Sequence, residues 1–267
     1  MDQILYSFTD RNNLFSYAHT YTEHPKFTEF NLHAHDDYEI FIFLKGDVNF
    51  LVEGMEFCLN PYDILLIRGN ELHQKTFQKD STPYERIVIS LSDSFFDAMD
   101  CPQYREIFNA RCLSVNEDAV YHPEEILKRI EHYLSDSSQD KNAVIRSCMV
   151  ELFHMISQIP KEKAPSQHPE LLAYINAHLA EPLSLDELAE HFFLSKYYLC
   201  RLFKKMTGFT INQYIITKRL LLAIRLFREG KSLSDASTEA GFGCYENFYK
   251  AYVKEFGISP RQGLKQN

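Results

Sequence analysis

Residues 184–208, SLDELAEHFFLSKYYLCRLFKKMTG, and residues 232–257, SLSDASTEAGFGCYENFYKAYVKEFG, are two versions of one pattern, and that pattern decides the C-terminal fold. Each opens on a capping signal, Ser184 with Glu187 and Ser232 with Asp235, that can satisfy the free backbone N–H groups of a helix start. In the first stretch Leu185, Leu188, Ala189 and Phe192 fall at i, i+3, i+4 and i+7. Leu199, Leu202, Phe203 and Met206 repeat that spacing after a short break. This spacing predicts two helices whose apolar faces pack together. In the second stretch Phe248, Ala251, Tyr252 and Phe256 form the corresponding buried stripe. A short helix, a tight break and a longer helix that stops at glycine is the pattern of a helix-turn-helix, whose second helix enters the DNA major groove.

The residues left over point outward. They are Lys196, Tyr197, Cys200, Arg201, Lys204 and Lys205 in the first half, and Tyr245, Glu246, Asn247 and Lys250 in the second. Tyr197, Cys200 and Arg201 share a helical face, which places them to reach base edges together, while Lys204 and Lys205 lie where phosphates run. Between the halves, residues 210–229 read as one helix. Thr210 and Gln213 form its capping box, and Gly230 supplies its stop. About 20 residues at ~1.5 Å each make a rod of roughly 30 Å. Successive major-groove faces are ~34 Å apart, so such a rod can hold two recognition helices in adjacent grooves.

Over residues 168–267 the chain resembles the DNA-binding domain of the AraC/XylS transcription regulators. The matching positions are residues 185–189, Leu194-Ser195, Leu199, residues 201–205 and Gly208. Arg219 and Ala223 match in the connecting helix, and Gly241-Phe242, Phe248, Lys250 and residues 256–260 match in the second half. The resemblance puts base reading on Tyr197, Cys200 and Arg201, and in the second half on Tyr245, Glu246, Asn247 and Lys250. Three departures stand out. Ala236-Ser237 replaces Ile-Ala, Tyr252-Val253 replaces Phe-Lys, and Gly263-Leu264 replaces an aromatic-Arg pair. They lead to the expectation of a more loosely packed second motif, with the first dominating sequence reading.

The formal charge of -9 argues against a nucleic-acid binder until it is divided along the chain. Residues 168–267 carry 13 Lys and Arg against 10 Asp and Glu, and the remainder carries 15 against 27, so the acidic charge belongs to the first part. The 6 cysteines form no CxxC pair or zinc-finger spacing. Met1-Asp2-Gln3 is not the start of a secretory signal, and no apolar run of about 18 residues is long enough to span a membrane. A reduced, cytoplasmic setting with no membrane association is the expectation.

The first part alternates short apolar runs with turn residues. Residues 50–59, 63–67 and 84–91 read as strands, and so does the run that ends at Gly46. Many short strands at this spacing predict a barrel or sandwich. His33-Ala34-His35-Asp36-Asp37-Tyr38-Glu39 followed by Gly46 resembles the first cupin motif, and Pro61-Tyr62-Asp63 through His73 resembles part of the second. His33, His35 and Glu39 share strand parity, with Phe41 and Phe43 beyond them, and His73 can join from a neighbouring strand. Three imidazoles and a carboxylate are a candidate divalent-metal set, although no cofactor is required by this reading. The same residues with Tyr84 make a candidate site for a small hydroxylated effector such as a carbohydrate.

Residues 117–159 change to helical period, with Ile126, Ile130, Tyr133 and Leu134 on one helix. Val144, Cys148, Leu152, Met155 and Ile156 mark another, and residues 135–140 form the turn between them. The resemblance implies that this pair forms a homodimer. Residues 160–169 have linker composition.

The fold class that results is α+β and multidomain. A cupin-like effector-sensing barrel covers residues 1–115, a helical dimerisation segment 116–159, a linker 160–169, and an all-α domain with two helix-turn-helix motifs joined by a long helix 170–267. The function that follows is a non-enzymatic regulator that binds double-stranded promoter DNA and a small-molecule effector, with RNA polymerase a further candidate partner. Two alternatives stay open: a metal-dependent cupin enzyme with a DNA-binding appendage, and a regulator whose barrel is purely structural.

Overall fold

A computed structural model describes residues 2–25, 33–53, 55–77, 82–115, 122–136, 140–160, 169–207 and 209–264, with Pro169 and Lys205 described by backbone alone. Most of the expected linker, residues 161–168, lies outside these residues, as do Phe27, Phe30, Gly208 and the middle of the expected 135–140 turn. The chain forms two compact units. The first holds Met1–Val52 and Glu56–Pro165, and the second holds Glu53–Met55 and Ser166–Asn267.

Among its described residues the first unit has nine strands: β1 (Asp2–Thr9), β2 (Phe15–Thr22), β3 (Tyr38–Lys45), β4 (Val48–Val52), β5 (Met55–Cys58), β6 (Ile64–Ile67), β7 (His73–Phe77), β8 (Tyr84–Leu91) and β9 (Cys112–Leu113). They form a six-stranded sheet in the order β1-β2-β8-β3-β6-β9 and a three-stranded sheet in the order β5-β4-β7. The expected barrel is therefore two open sheets. One edge of the larger sheet is a strand of only two residues, and the other is the exposed β1, so among the described residues the ladder does not close into a ring. The run expected as one strand over 50–59 breaks into β4 and β5 at Glu53, which has φ 47.

Strand β3 is buried on both faces, which is why its sequence reads as a continuous apolar run. Phe41 and Phe43 pack with Phe50, Leu65, Ile67 and Tyr84 between the sheets. Ile40 and Ile42 pack on the opposite side with Ile87, Ile89 and the helices. Those helices are α1 (Ser94–Ala98), a 3-10 segment (Pro102–Asn109), α2 (Glu124–Ser135) and α3 (Lys141–Gln158). Leu127, Ile130, Met149, Leu152 and Phe153 spend the apolar face of α2 and α3 on this core, whereas Val144, expected on the buried stripe, is 36% exposed. Two polar ties fix the pair to the sheet. Arg146 donates to both Asp10 oxygens at 2.6 and 2.8 Å, and His19 bridges Glu85 and Glu131 at 2.8 and 2.6 Å.

The second unit is helical: α4 (Pro169–Ala177), α5 (Leu185–His191), α6 (Lys196–Thr207), α7 (Ile211–Arg228), α8 (Leu233–Ser237), α9 (Tyr245–Phe256) and α10 (Pro260–Gly263), with a widened turn over Thr238–Phe242. Complete capping boxes stand at Ser184/Glu187 and Thr210/Gln213. Ser232 accepts from the Asp235 N–H at 3.1 Å, but the shorter Asp235 carboxylate takes the Ser232 hydroxyl at 2.7 Å and closes no box. Helix α7 has 18 residues and so spans about 27 Å.

The second half is not loosely packed. Leu220, Ala223, Ile224, Ala240, Phe242, Phe248 and Tyr252 form a buried cluster, and Ala236 and Ser237 are fully buried. Two of the departures compensate each other, because a Cβ on Gly263 would stand 2.4 Å from the Tyr252 hydroxyl. The glycine makes room for the tyrosine. Phe256, expected in the buried stripe, is 44% exposed as the last residue of α9, where its ring packs on Tyr252 at 4.5 Å between centroids.

Candidate nucleic-acid interface and ligand cluster

Helix α6 buries Leu199 and Phe203 completely, which turns the opposite face to solvent. There Tyr197 is 76% exposed, Lys196, Arg201 and Lys204 are exposed, and Cys200 is half-buried between them. Lys196 pairs with the exposed Asp186 of α5. Lys205 lies in the same helix, its side chain outside the described residues. Helix α9 presents a less open set. Glu246, Asn247 and Lys250 are exposed, but the Asn247 amide donates to the Phe242 carbonyl at 3.2 Å. Tyr245 is half-buried against Phe248.

Arg219, one of the positions that match the resemblance in the connecting helix, is structural. It donates to the carbonyls of Leu179 and Glu181, each at 2.7 Å, and so holds the turn after α4. Gly241 lies against the same place, where a Cβ would be 2.7 Å from the Leu179 oxygen.

In the first unit, His33 and His73 exchange backbone hydrogen bonds at 3.1 and 2.9 Å, which brings the loop before β3 onto the start of β7. Gly69 allows the loop to sit there, since a Cβ on it would be 2.1 Å from the Asp36 carbonyl oxygen. Glu71 braces the turn by accepting from the Arg68 N–H at 2.9 Å and pairing with Arg111. The result gathers His35, Glu39 and His73, with one nitrogen or oxygen from each lying within 4.8 Å of the others. His33 is outside this group, although its ring centroid is 4.2 Å from that of His73. Phe41, Phe43 and Tyr84 lie in the packed core, each no more than 1% exposed.

The protonation of the cluster follows from its partners. His73 Nδ1 lies 2.8 Å from the Glu71 carbonyl oxygen, which can only accept, so Nδ1 carries the proton and Nε2 the lone pair. Among the described residues that Nε2 is buried without a hydrogen-bond partner. Burial pushes the His73 pKa down to about 4, against the pull of Glu39. His35 holds the Asp37 carbonyl through Nδ1 and the Glu39 carboxylate through Nε2, both at 2.9 Å. Burial lowers the His35 pKa, but the hydrogen bond and charge of Glu39 outweigh it and the net shift is upward. Burial raises Glu39, and the three histidines outweigh it, so its pKa ends below the usual value.

Residues 20–156, a little over half of the chain, match the model of the AraC-like ligand binding domain. Residues 188–266 match a helix-turn-helix domain model. The chain belongs to the AraC family of transcription regulators. It is 26% identical over 226 residues to the uncharacterized HTH-type transcriptional regulator YbfI of Bacillus subtilis, covering 80% of this chain and 79% of that one. It is 25% identical over 238 residues to the HTH-type transcriptional activator RhaS of Klebsiella pneumoniae, covering 86% and 85%. Among solved structures it is similar to ToxT from Vibrio cholerae, at 14% identity and a TM-score of 0.42, covering 94% of this chain and 97% of that one.

This AraC-family chain thus carries a helix-turn-helix domain that binds DNA and a domain of the ligand-binding type. Among the described residues, no helix is long and apolar enough to cross a membrane. The parity of His35 and Glu39 is readable from the sequence. Gly69 and the carbonyls of Asp37 and Glu71 are not, since only the approach of the two loops gives them a role.

Proposed function

We propose that this regulator reads promoter DNA chiefly through α6, with Arg201 bonding a guanine at O6 and N7. Tyr197 and Cys200 then face neighbouring bases, and Lys196, Lys204 and Lys205 meet phosphates. Helix α9, through Tyr245, Glu246, Asn247 and Lys250, adds a second, weaker contact. The observation that carries this is the division of α6: Leu199 and Phe203 fully buried, Tyr197 and Arg201 open to solvent. The test is selection of duplexes from a random pool by the full-length protein, followed by affinity measurement against scrambled duplexes. Specific DNA-binding proteins prefer their sites ~10³-fold or more. A preference under about tenfold would sink the reading.

The effector site falls, on this reading, at His35, Glu39 and His73, with His33 beside them. Phe41, Phe43 and Tyr84 would wall a carbohydrate site only if presented to it, and core packing consumes them. The protein acts as a homodimer through the outward face of the helix pair, where Val144 is exposed. It works in the cytoplasm as a regulator rather than a catalyst, and its effect on transcription runs through RNA polymerase. Sedimentation of Val144→Glu, monomeric where the parent is dimeric, checks the dimer.

A further inference from the structure

Phe193 sits in the turn of the first helix-turn-helix, and its place in the fold does not account for its chemistry. It follows α5 in the left-handed conformation, φ 54. Its N–H donates to the Glu190 carbonyl at 3.1 Å, and the Leu194 N–H donates to the Ala189 carbonyl at 2.9 Å. That backbone suits glycine or asparagine, because a Cβ there crowds the following carbonyl oxygen. The side chain recovers nothing by burial, since it is 96% exposed. The other half shows what the fold alone asks for. Phe193 and Gly241 each lie nine residues after the capping serine of their half, Ser184 and Ser232. Gly241 meets the same left-handed region, φ 90, with no side chain. A strained and unburied phenylalanine at a position that glycine fills elsewhere in the same chain is an outlier that calls for a function.

We propose that Phe193 is a further base-reading residue of this regulator, packing on the 5-methyl group of a thymine beside the base pairs met by α6. The inference rests on reading α6 as the recognition helix. Phe193 stands three residues ahead of Lys196, where α6 begins, and α6 leaves Tyr197 and Arg201 open to solvent. In a helix-turn-helix the first residues of the second helix meet the base edges, so the turn that leads into it lies beside the groove. The chemistry then selects the contact. A phenyl ring offers a phosphate neither charge nor a hydrogen bond, whereas the thymine methyl is the apolar group that the major groove displays. Covering the ring on DNA gains the burial that the free protein forgoes. The two halves thus use one position differently: Gly241 packs against the Leu179 carbonyl, and Phe193 extends the reading surface of α6.

The test uses the full-length protein and a duplex selected from a random pool. Each thymine of that duplex is replaced in turn by deoxyuridine, which removes the methyl group and keeps the base pairing. For the parent protein, anisotropy is expected to show a loss of about fourfold at one or two positions, the worth of one buried methyl group. Phe193→Gly is expected to be insensitive at those positions and to bind the unmodified duplex about tenfold more weakly, since the whole ring is lost. Urea unfolding of the same preparation separates this from misfolding, because glycine suits the turn and the variant is expected to be no less stable than the parent. A folded Phe193→Gly variant that binds the unmodified duplex as tightly as the parent overturns the proposal and assigns the exposed ring to a protein partner. Weaker binding by Phe193→Gly with the parent's deoxyuridine response retained overturns the thymine contact, and so does a parent that responds to no deoxyuridine. In each of these cases a base preference that Arg201→Ala removes leaves the reading of α6 intact. A parent protein that selects no sequence overturns the reading of α6 and this proposal with it.

Discussion

The two helix-turn-helix halves follow the same order of cap, short helix, turn and recognition helix, yet they close their turns by different means. The first turn passes through Phe193, which has φ 54 and is 96% exposed. Its ring lies in solvent while its N–H donates to the Glu190 carbonyl at 3.1 Å, and the recognition helix after it leaves Tyr197 and Arg201 open. The second turn passes through Gly241 and Gly243, with φ 90 and 73, and Gly241 is wedged against the Leu179 carbonyl and Arg219. Its recognition helix uses the Asn247 amide to hold that turn. The first half leaves its second helix open to solvent, whereas the second ties its turn to the Leu179 carbonyl and to Arg219 of α7.

The largest effect that would test this contrast is on stability. Gly241→Ala puts a methyl group 2.7 Å from a backbone oxygen at a φ that L-residues avoid. A loss of about 2–4 kcal/mol is expected from clash and strain together. Gly243→Ala meets nothing within 4 Å, so only strain remains, at about 1 kcal/mol. Urea unfolding of both variants checks the difference, and equal losses would mean that packing at Gly241 is not what distinguishes the two turns.

Next comes DNA discrimination. Arg201→Ala should cost about 1–3 kcal/mol at one base pair and little at others. Asn247→Ala should act mainly by loosening the second turn, weakening all duplexes alike. Competition binding with single-base duplex variants separates the two patterns. A base-specific loss from Asn247→Ala larger than that from Arg201→Ala would reverse the roles of the halves.

A third, smaller effect concerns the paired departures. Gly263→Ala should destabilise by about 1–2 kcal/mol through overpacking against Tyr252. In a Tyr252→Phe background, where the hydroxyl is gone, the same change should cost less by about 1 kcal/mol. A double-mutant cycle measures that coupling directly. Strict additivity would show that the two residues changed independently.

The same pair shows where sequence reading stops. The helices of the second unit were legible because their causes are local: apolar residues at i, i+3 and i+4, and Ser or Thr three residues before Glu or Gln. The capping boxes at Ser184/Glu187 and Thr210/Gln213 stand where the spacing puts them. The gathering of His35 and Glu39 was legible through strand parity, which is local as well. The fit of Tyr252 to Gly263 was not, because neither residue signals the other. Strand β7, which carries His73, has no alternating apolar pattern (its sequence is HQKTF) and its pairing partner β4 lies over 20 residues away. That the β-rich domain takes the form of two open sheets was not legible for a similar reason, since closure depends on which edges meet and not on any one strand. The unpartnered nitrogen of His73 depends on which ring atom the Glu71 carbonyl takes, and only the folded backbone decides that.

The smallest expected effect is the most direct probe of the first turn. A phenylalanine with positive φ brings its Cβ close to the following carbonyl oxygen, at roughly 1–2 kcal/mol, and almost full exposure returns nothing through burial. Phe193→Gly removes the Cβ and its strain. The glycine also gives the unfolded chain more freedom, which takes back part of the gain. A net stabilisation of about 0.5 kcal/mol is therefore expected, and urea unfolding of the full-length protein resolves the sign if several preparations are averaged. Phe193→Asn should behave similarly, since asparagine tolerates the left-handed region and restores a side chain. If both variants are instead destabilised, Phe193 contributes packing that its exposure conceals. The first turn would then be held by contacts as the second is, and the contrast between the halves would lie in their recognition helices alone.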